Sequence, residues 1–132
     1  MLPGRTVSVI DDDPSMLRSI KRLLGAHKFN VKTFQSSEAF LDSTIPVEAG
    51  CLVLDIDLGG MSGIELKRAL ARSGNSVPVI FITGKDSEIV RKAALEVGYA
   101  AYLLKPFTGK QLTDAIENAL NAPQVGCPTA SL

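Results

Sequence analysis

Short apolar runs rich in β-branched residues recur along the chain and divide it into similar units. Five of them stand out: Thr6–Ile10, Asn30–Phe34, Cys51–Leu54, Val77–Ile82 and Ala100–Leu104. Each has the length and composition of a β-strand. Helical periodicity fills the intervals. It is clearest near the end, where Leu112, Ala115, Ile116, Ala119 and Leu120 fall at i, i+3, i+4, i+7 and i+8 and form one apolar face. Thr108 and Gln111 make a capping box before that helix. Ser62 and Glu65 make another before a helix carrying Ile64, Leu66, Ala69 and Leu70. A first helix starts at Asp13-Pro14, where Asp can accept from unpaired amides and Pro suits the first turn, and runs through Leu17, Ile20 and Leu24. Shorter helices are predicted over Ser37–Asp42 and Asp86–Val97.

Alternating strands and helices of this length imply parallel strands joined by right-handed crossovers, with helices on both faces. The runs CLVL and VPVIFI are continuously apolar, as strands buried on both faces should be, and belong at the centre. The run NVKTF alternates polar and apolar residues and suits an edge. The predicted fold is therefore α/β: a flavodoxin-like, doubly wound (βα)5 sandwich with a five-stranded parallel sheet in the order 2-1-3-4-5. A length of 132 residues holds one domain. We expect it over residues 1–122, with 123–132 a flexible tail or truncated linker, because after Leu120 the periodicity gives way to Pro and Gly.

Composition narrows the function. With 45% hydrophobic and 21% charged residues the chain is neither disordered nor repetitive. Its 14 basic and 14 acidic residues cancel, which argues against a surface made to neutralise nucleic-acid phosphates or anionic lipid. No run approaches the ~18–20 apolar residues of a membrane span, and no apolar signal core opens the chain, so a cytoplasmic protein is expected. His27 is the single histidine, and Cys51 and Cys127 lack CxxC spacing, so no zinc site is expected. Cys51 reads as a small core residue and Cys127 as an exposed thiol.

In such sheets ligands bind beyond the carboxyl ends of the strands. Strand one is followed there by Asp11, Asp12 and Asp13, strand three by Asp55, Ile56 and Asp57, strand four by Thr83 and Gly84, and strand five by Lys105 and Pro106. Asp13 is accounted for as a helix cap; Asp11, Asp12 and Asp55 are not. Two unit charges ~4 Å apart repel by roughly 1 kcal/mol in water and about 4 kcal/mol at an effective dielectric of 20, so such a cluster needs a counter-charge. An all-oxygen set suits Mg²⁺, with Mn²⁺ as a substitute, and leaves coordination positions for water and phosphate. Lys105 adds a positive charge and Thr83 a hydroxyl donor. Together these groups match the needs of phosphoryl transfer to an aspartate: a carboxylate nucleophile, and positive charge and donors for the phosphoryl oxygens. Each residue alone would pass as structural. Their placement on four strand ends is what carries the signal.

Over Arg5–Leu120 the chain closely resembles the receiver domain of two-component response regulators, in the FixJ/NarL style. VSVIDDDPSML resembles the family's first strand and acidic pair, CLVLDIDLGGMSG its phosphoacceptor segment, VPVIFITG its threonine strand and YLLKPF its lysine-proline turn. The resemblance implies that Asp55 accepts a phosphoryl group from the phosphohistidine of a sensor histidine kinase or histidine phosphotransfer protein. It also implies that Asp12, the Asp55 carboxylate and the Asp57 main-chain carbonyl hold Mg²⁺, with Asp11 acting mostly through water. Thr83 and Lys105 would contact phosphoryl oxygens, and Tyr102 would be the switch aromatic that turns inward as Thr83 moves. The phosphoryl group would then hydrolyse slowly, the domain supplying part of the catalysis itself.

Helix four, strand five and helix five, roughly 87–120, would present the altered surface, including for a homodimer, with no nucleic-acid or membrane contact by this chain. A cis bond between Lys105 and Pro106 is implied as well. Gly59 stands where the family usually has proline, which should loosen the loop after Asp55. Tyr99 follows Gly98 where a small residue is common. Lys85 and Asp57 occupy positions that modulate dephosphorylation in the family, and a mutual ion pair is open to them. The rival is a Mg²⁺-dependent phosphohydrolase of the haloacid dehalogenase type, whose DxD motif Asp55-Ile56-Asp57 copies. Against it, the acidic pair precedes the DxD, Leu58 follows it, and the length leaves no room for a cap domain.

Overall fold

The computed structural model describes residues 6–43 and 49–121. Five strands alternate with five helices: β1 (Thr6–Ile10), α1 (Pro14–Ala26), β2 (Asn30–Phe34), α2 (Ser37–Leu41), β3 (Cys51–Asp55), α3 (Gly63–Arg72), β4 (Val79–Thr83), α4 (Glu88–Val97), β5 (Ala101–Leu104) and α5 (Gly109–Asn121). The strands form one sheet in the order β2-β1-β3-β4-β5, and every pairing is parallel. This is the doubly wound α/β sandwich that the apolar pattern predicts. The expected tail over 123–132, with Cys127, lies outside the described residues.

Side chains of adjacent strand residues point to opposite faces, and the core divides accordingly. Val7, Val9, Cys51, Val53, Ile80 and Ile82 pack with Leu17, Ile20 and Leu24 of α1 and with Leu112 and Ile116 of α5. Ile10, Leu52, Leu54, Val79 and Phe81 pack on the other face with Phe40 of α2, Leu66 and Leu70 of α3, and Ala94 of α4. The three central strands are buried along their whole length, whereas the alternating β2 is half-buried and pairs only with β1. Cys51 is fully buried, and burial pushes its thiol up to about 12, so it behaves as a small apolar residue.

The caps form as expected. Asp13 accepts from the Ser15 amide, and Pro14 opens α1. Ser62 and Glu65 exchange both bonds of a capping box, and so do Thr108 and Gln111. Several boundaries shift by one or two residues, and three of the shifts have clear local reasons. The fourth strand starts at Val79 and not Val77, because Pro78 has no amide to donate and the Val77 amide turns to Asn75 Oδ1. The third extends to Asp55, whose backbone pairs with Ile82. Helix α4 starts at Glu88, since Ser87 is its cap, accepting from the Val90 amide at 3.1 Å.

Candidate functional site

The sheet delivers its polar groups to one rim. Asp11 directly follows β1 and is fully buried; Asp55 closes β3 and is 3% exposed. Both carboxylates are aimed by the same local device, an aspartate accepting the amide two residues on. The Asp13 amide donates to Asp11 Oδ1 at 2.9 Å, and the Asp57 amide donates to Asp55 Oδ1 at 3.0 Å. That leaves Oδ2 of each for the same partner. Lys105, next after β5, donates from Nζ to Asp11 Oδ2 at 3.0 Å and to Asp55 Oδ2 at 3.3 Å. The Lys105–Pro106 peptide is cis, as the family resemblance implied.

These contacts set the charges. Burial, then the charge of Asp11, pushes the Asp55 carboxyl up from 3.8 to about 6, against the opposing pull of the Asp57 amide and Lys105. Burial draws Lys105 down, but hydrogen bonds and charge from Asp11 and Asp55 outweigh it, and its ammonium is held above the ordinary lysine range. Asp12 is exposed at the mouth. One carboxylate oxygen from each of Asp11, Asp12 and Asp55 lies within 4.8 Å of the others. Three carboxylates face one ammonium, so the cluster can hold a cation and has the all-oxygen donors a hard one prefers.

The remaining predicted residues form a second group. Thr83 ends β4 and is fully buried; its hydroxyl donates to Asp57 Oδ2 at 2.8 Å and accepts the Lys85 amide at 3.0 Å. Asp57 therefore enters the site through both its amide and its carboxylate. The Lys85–Asp57 ion pair is not formed: the Asp57 carboxylate takes the Thr83 hydroxyl, and Lys85 turns to the same hydroxyl through its backbone. Tyr102 is half-buried, and its hydroxyl donates to Asp86 Oδ1 at 3.0 Å. Tyr99 is part of the packing: its ring lies 6.0 Å from Phe81 and 5.7 Å from Tyr102.

Three supports were not visible in the sequence. Asp86 pairs with both Tyr102 and Arg91. Glu38 of α2 accepts the Met61 amide at 3.0 Å, a contact that holds its carboxyl below the usual range and tethers the loop after Asp55. Gly63 approaches β3 closely. A Cβ there would lie 2.4 Å from the Asp55 carbonyl oxygen and 3.0 Å from the Ile56 Cα, and the Gly63 amide donates to the Ile56 carbonyl at 3.1 Å. A glycine directly after a capping serine was the one available signal. Gly59, by contrast, has open space where a Cβ would stand.

This fold and rim are those of a known class. The response regulator receiver domain family matches residues 7–117. The chain belongs to that family, the receiver domains of two-component signalling, and not to the dehalogenase-type phosphohydrolases. Nodulation protein W of Bradyrhizobium diazoefficiens is 39% identical over 83% of this chain and 48% of its own length. The response regulator protein TmoT of Ectopseudomonas mendocina is 34% identical over 90% of this chain and 58% of its own. The solved structure of FixJ-N is 32% identical with a TM-score of 0.80, covering 91% of this chain and 96% of that one. The response regulator StyR is 41% identical with a TM-score of 0.79, covering 87% and 58%. The chain thus spans about half the length of the curated relatives it matches. Among the described residues no helix is long and apolar enough to cross a membrane.

Proposed function

We propose that the chain is the phosphoacceptor of a histidine-aspartate phosphorelay, with Asp55 as the residue modified. The observation that carries this reading is the Lys105 ammonium bridging the buried Asp11 and Asp55 carboxylates. With its carboxyl at about 6, Asp55 is mostly ionised at neutral pH and can act as a nucleophile. An Asp55 oxygen attacks the phosphorus of a phosphohistidine. The new O–P bond forms as the P–N bond breaks, and the electron pair returns to the imidazole nitrogen, which takes up a proton. Lys105 stays protonated and donates to the transferring oxygens, and the Thr83 hydroxyl adds a second donor once it leaves Asp57.

The donor set fits Mg²⁺, with Mn²⁺ as a substitute: Asp12, the Asp55 carboxylate and the Asp57 main-chain carbonyl would hold it, and Asp11 would act mostly through water. When bound, the ion supplies positive charge to the phosphoryl oxygens. Hydrolysis of the aspartyl phosphate resets the domain. The partner on the donor side is a sensor histidine kinase or a histidine phosphotransfer protein. On the other side, α4, β5 and α5 carry the change to an output, with homodimerisation through that surface as one form of it.

The test is intact mass after incubation with acetyl phosphate or phosphoramidate and Mg²⁺. A gain of one phosphoryl group, about 80 Da, that needs Mg²⁺ and is absent in Asp55→Ala is the expected result. No adduct on the wild type, or an equal adduct on the variant, overturns the assignment.

A further inference from the structure

The two side chains assigned to the switch are both detained by carboxylates. The Thr83 hydroxyl donates a hydrogen bond to Asp57 Oδ2, and the Tyr102 hydroxyl donates one to Asp86 Oδ1. The other Asp86 oxygen pairs with Arg91 of α4, whose guanidinium carbon stands 6.0 Å from the centre of the Tyr102 ring. Asp86 is thus braced from α4 while it holds a hydroxyl from β5.

Asp86 is also mechanically tied to Thr83. Both belong to the segment 83–87 between β4 and α4. At one end the Lys85 amide rests on the Thr83 hydroxyl, and at the other Ser87 caps α4. A shift of Thr83 therefore moves the short segment that carries Asp86. On the Tyr102 side, the ring already lies against Tyr99, which packs on Phe81, so its apolar face has a seat on the sheet while its hydroxyl is held outside.

We propose that Asp86, braced by Arg91, is a latch that keeps the Tyr102 hydroxyl at the surface and makes release of the ring depend on movement of Thr83. The inference rests on the receiver function proposed above and deepens it by naming a positioning residue for the switch. When the Thr83 hydroxyl turns from Asp57 to a phosphoryl oxygen on Asp55, the segment shifts, Asp86 lets go, and the ring settles inward. A hydrogen bond and an ion pair at a solvent-accessible place are weak enough for one phosphoryl group to displace, and the latch biases the equilibrium because only the unmodified state contains it.

The experiment follows the Tyr102 ring by NMR in the whole chain, free and titrated with beryllofluoride and Mg²⁺ as a stand-in for the phosphoryl group. Thermal unfolding checks that each variant folds. In Asp86→Ala the ring resonances of the free protein are expected to move toward the wild-type beryllofluoride-bound positions. The beryllofluoride concentration giving half saturation should fall about 2–5-fold. Tyr102→Phe, which keeps the ring and loses the tether, should lower it similarly. Asp86→Asn, which retains an acceptor, should stay closer to wild type. A wild type that responds to beryllofluoride, with free-state ring signals and half saturation unchanged in Asp86→Ala, overturns the latch alone. A wild type that does not respond overturns the receiver reading and the latch with it.

Discussion

Asp11, Asp55 and Lys105 meet through charged contacts of 3.0 and 3.3 Å between two buried carboxylates and one ammonium, whereas Thr83 and Tyr102 each give a single hydrogen bond to a carboxylate nearer the surface, Asp57 and Asp86. The first group is held by desolvated charge, and its single ammonium cannot leave without stranding two buried carboxylates. The second is held by bonds that water or a new acceptor can replace at small cost. On the function proposed above, the difference divides one rim into a fixed half for chemistry and an exchangeable half for response.

The sharpest way to break this comparison is Lys105→Met. It leaves Asp11 and Asp55 buried without counter-charge, and urea unfolding at pH 7 without divalent cations should show a loss of about 3 kcal/mol, partly restored by Mg²⁺. A loss no larger than that of Thr83→Val would remove the distinction between the halves.

Asp55→Asn probes the same pocket through pH. The folded protein holds the Asp55 proton more tightly than the unfolded chain does, since the carboxyl rises from 3.8 to about 6. Its stabilising contribution is therefore present below pH 4 and lost as pH rises through 6, amounting to about 2–3 kcal/mol. Asparagine has no such loss, so metal-free melting curves should show the variant gaining on wild type between pH 4 and 7. A constant difference across that range would contradict the desolvated pocket.

Thr83→Val should cost less, about 1 kcal/mol in the same urea assay, because the Asp57 carboxylate and the Lys85 amide can turn to water. The smallest effect is expected at Gly59→Ala. An added methyl there meets nothing within 4 Å, so the substitution should stabilise by roughly 0.4–1 kcal/mol through the unfolded chain. A destabilised variant would mean that the loop after Asp55 depends on glycine there.

Most of the fold was legible because its signals are local. The runs CLVL and VIFI needed no partner to announce doubly buried strands, and Asp13-Pro14 and Ser62-x-x-Glu65 announce their helices within four residues. The acidic cluster was legible for another reason: parallel topology sends every strand end to one rim, so Asp11, Asp55 and Lys105 could be collected from sequence positions far apart. What stayed hidden are contacts that only folding creates between loops. Nothing near Tyr102 points to Asp86, 16 residues away, and nothing near Met61 points to Glu38, 23 residues away. The Asp57 carboxylate was visible, but its choice of the Thr83 hydroxyl over the Lys85 amine depends on loop directions that residue types do not encode.

The close approach of Gly63 to the Asp55 carbonyl bears on how mutational maps of this domain should be interpreted. In a scan of every position, Gly63 should tolerate as few substitutions as Asp55, although it has no side chain and contributes no reacting atom. Its intolerance would report the thickness of the chain itself, the 2.4 Å left for a first methyl group. A position that scores like a nucleophile can therefore be a spacer, and only a readout that separates folding from phosphoryl uptake would tell the two apart.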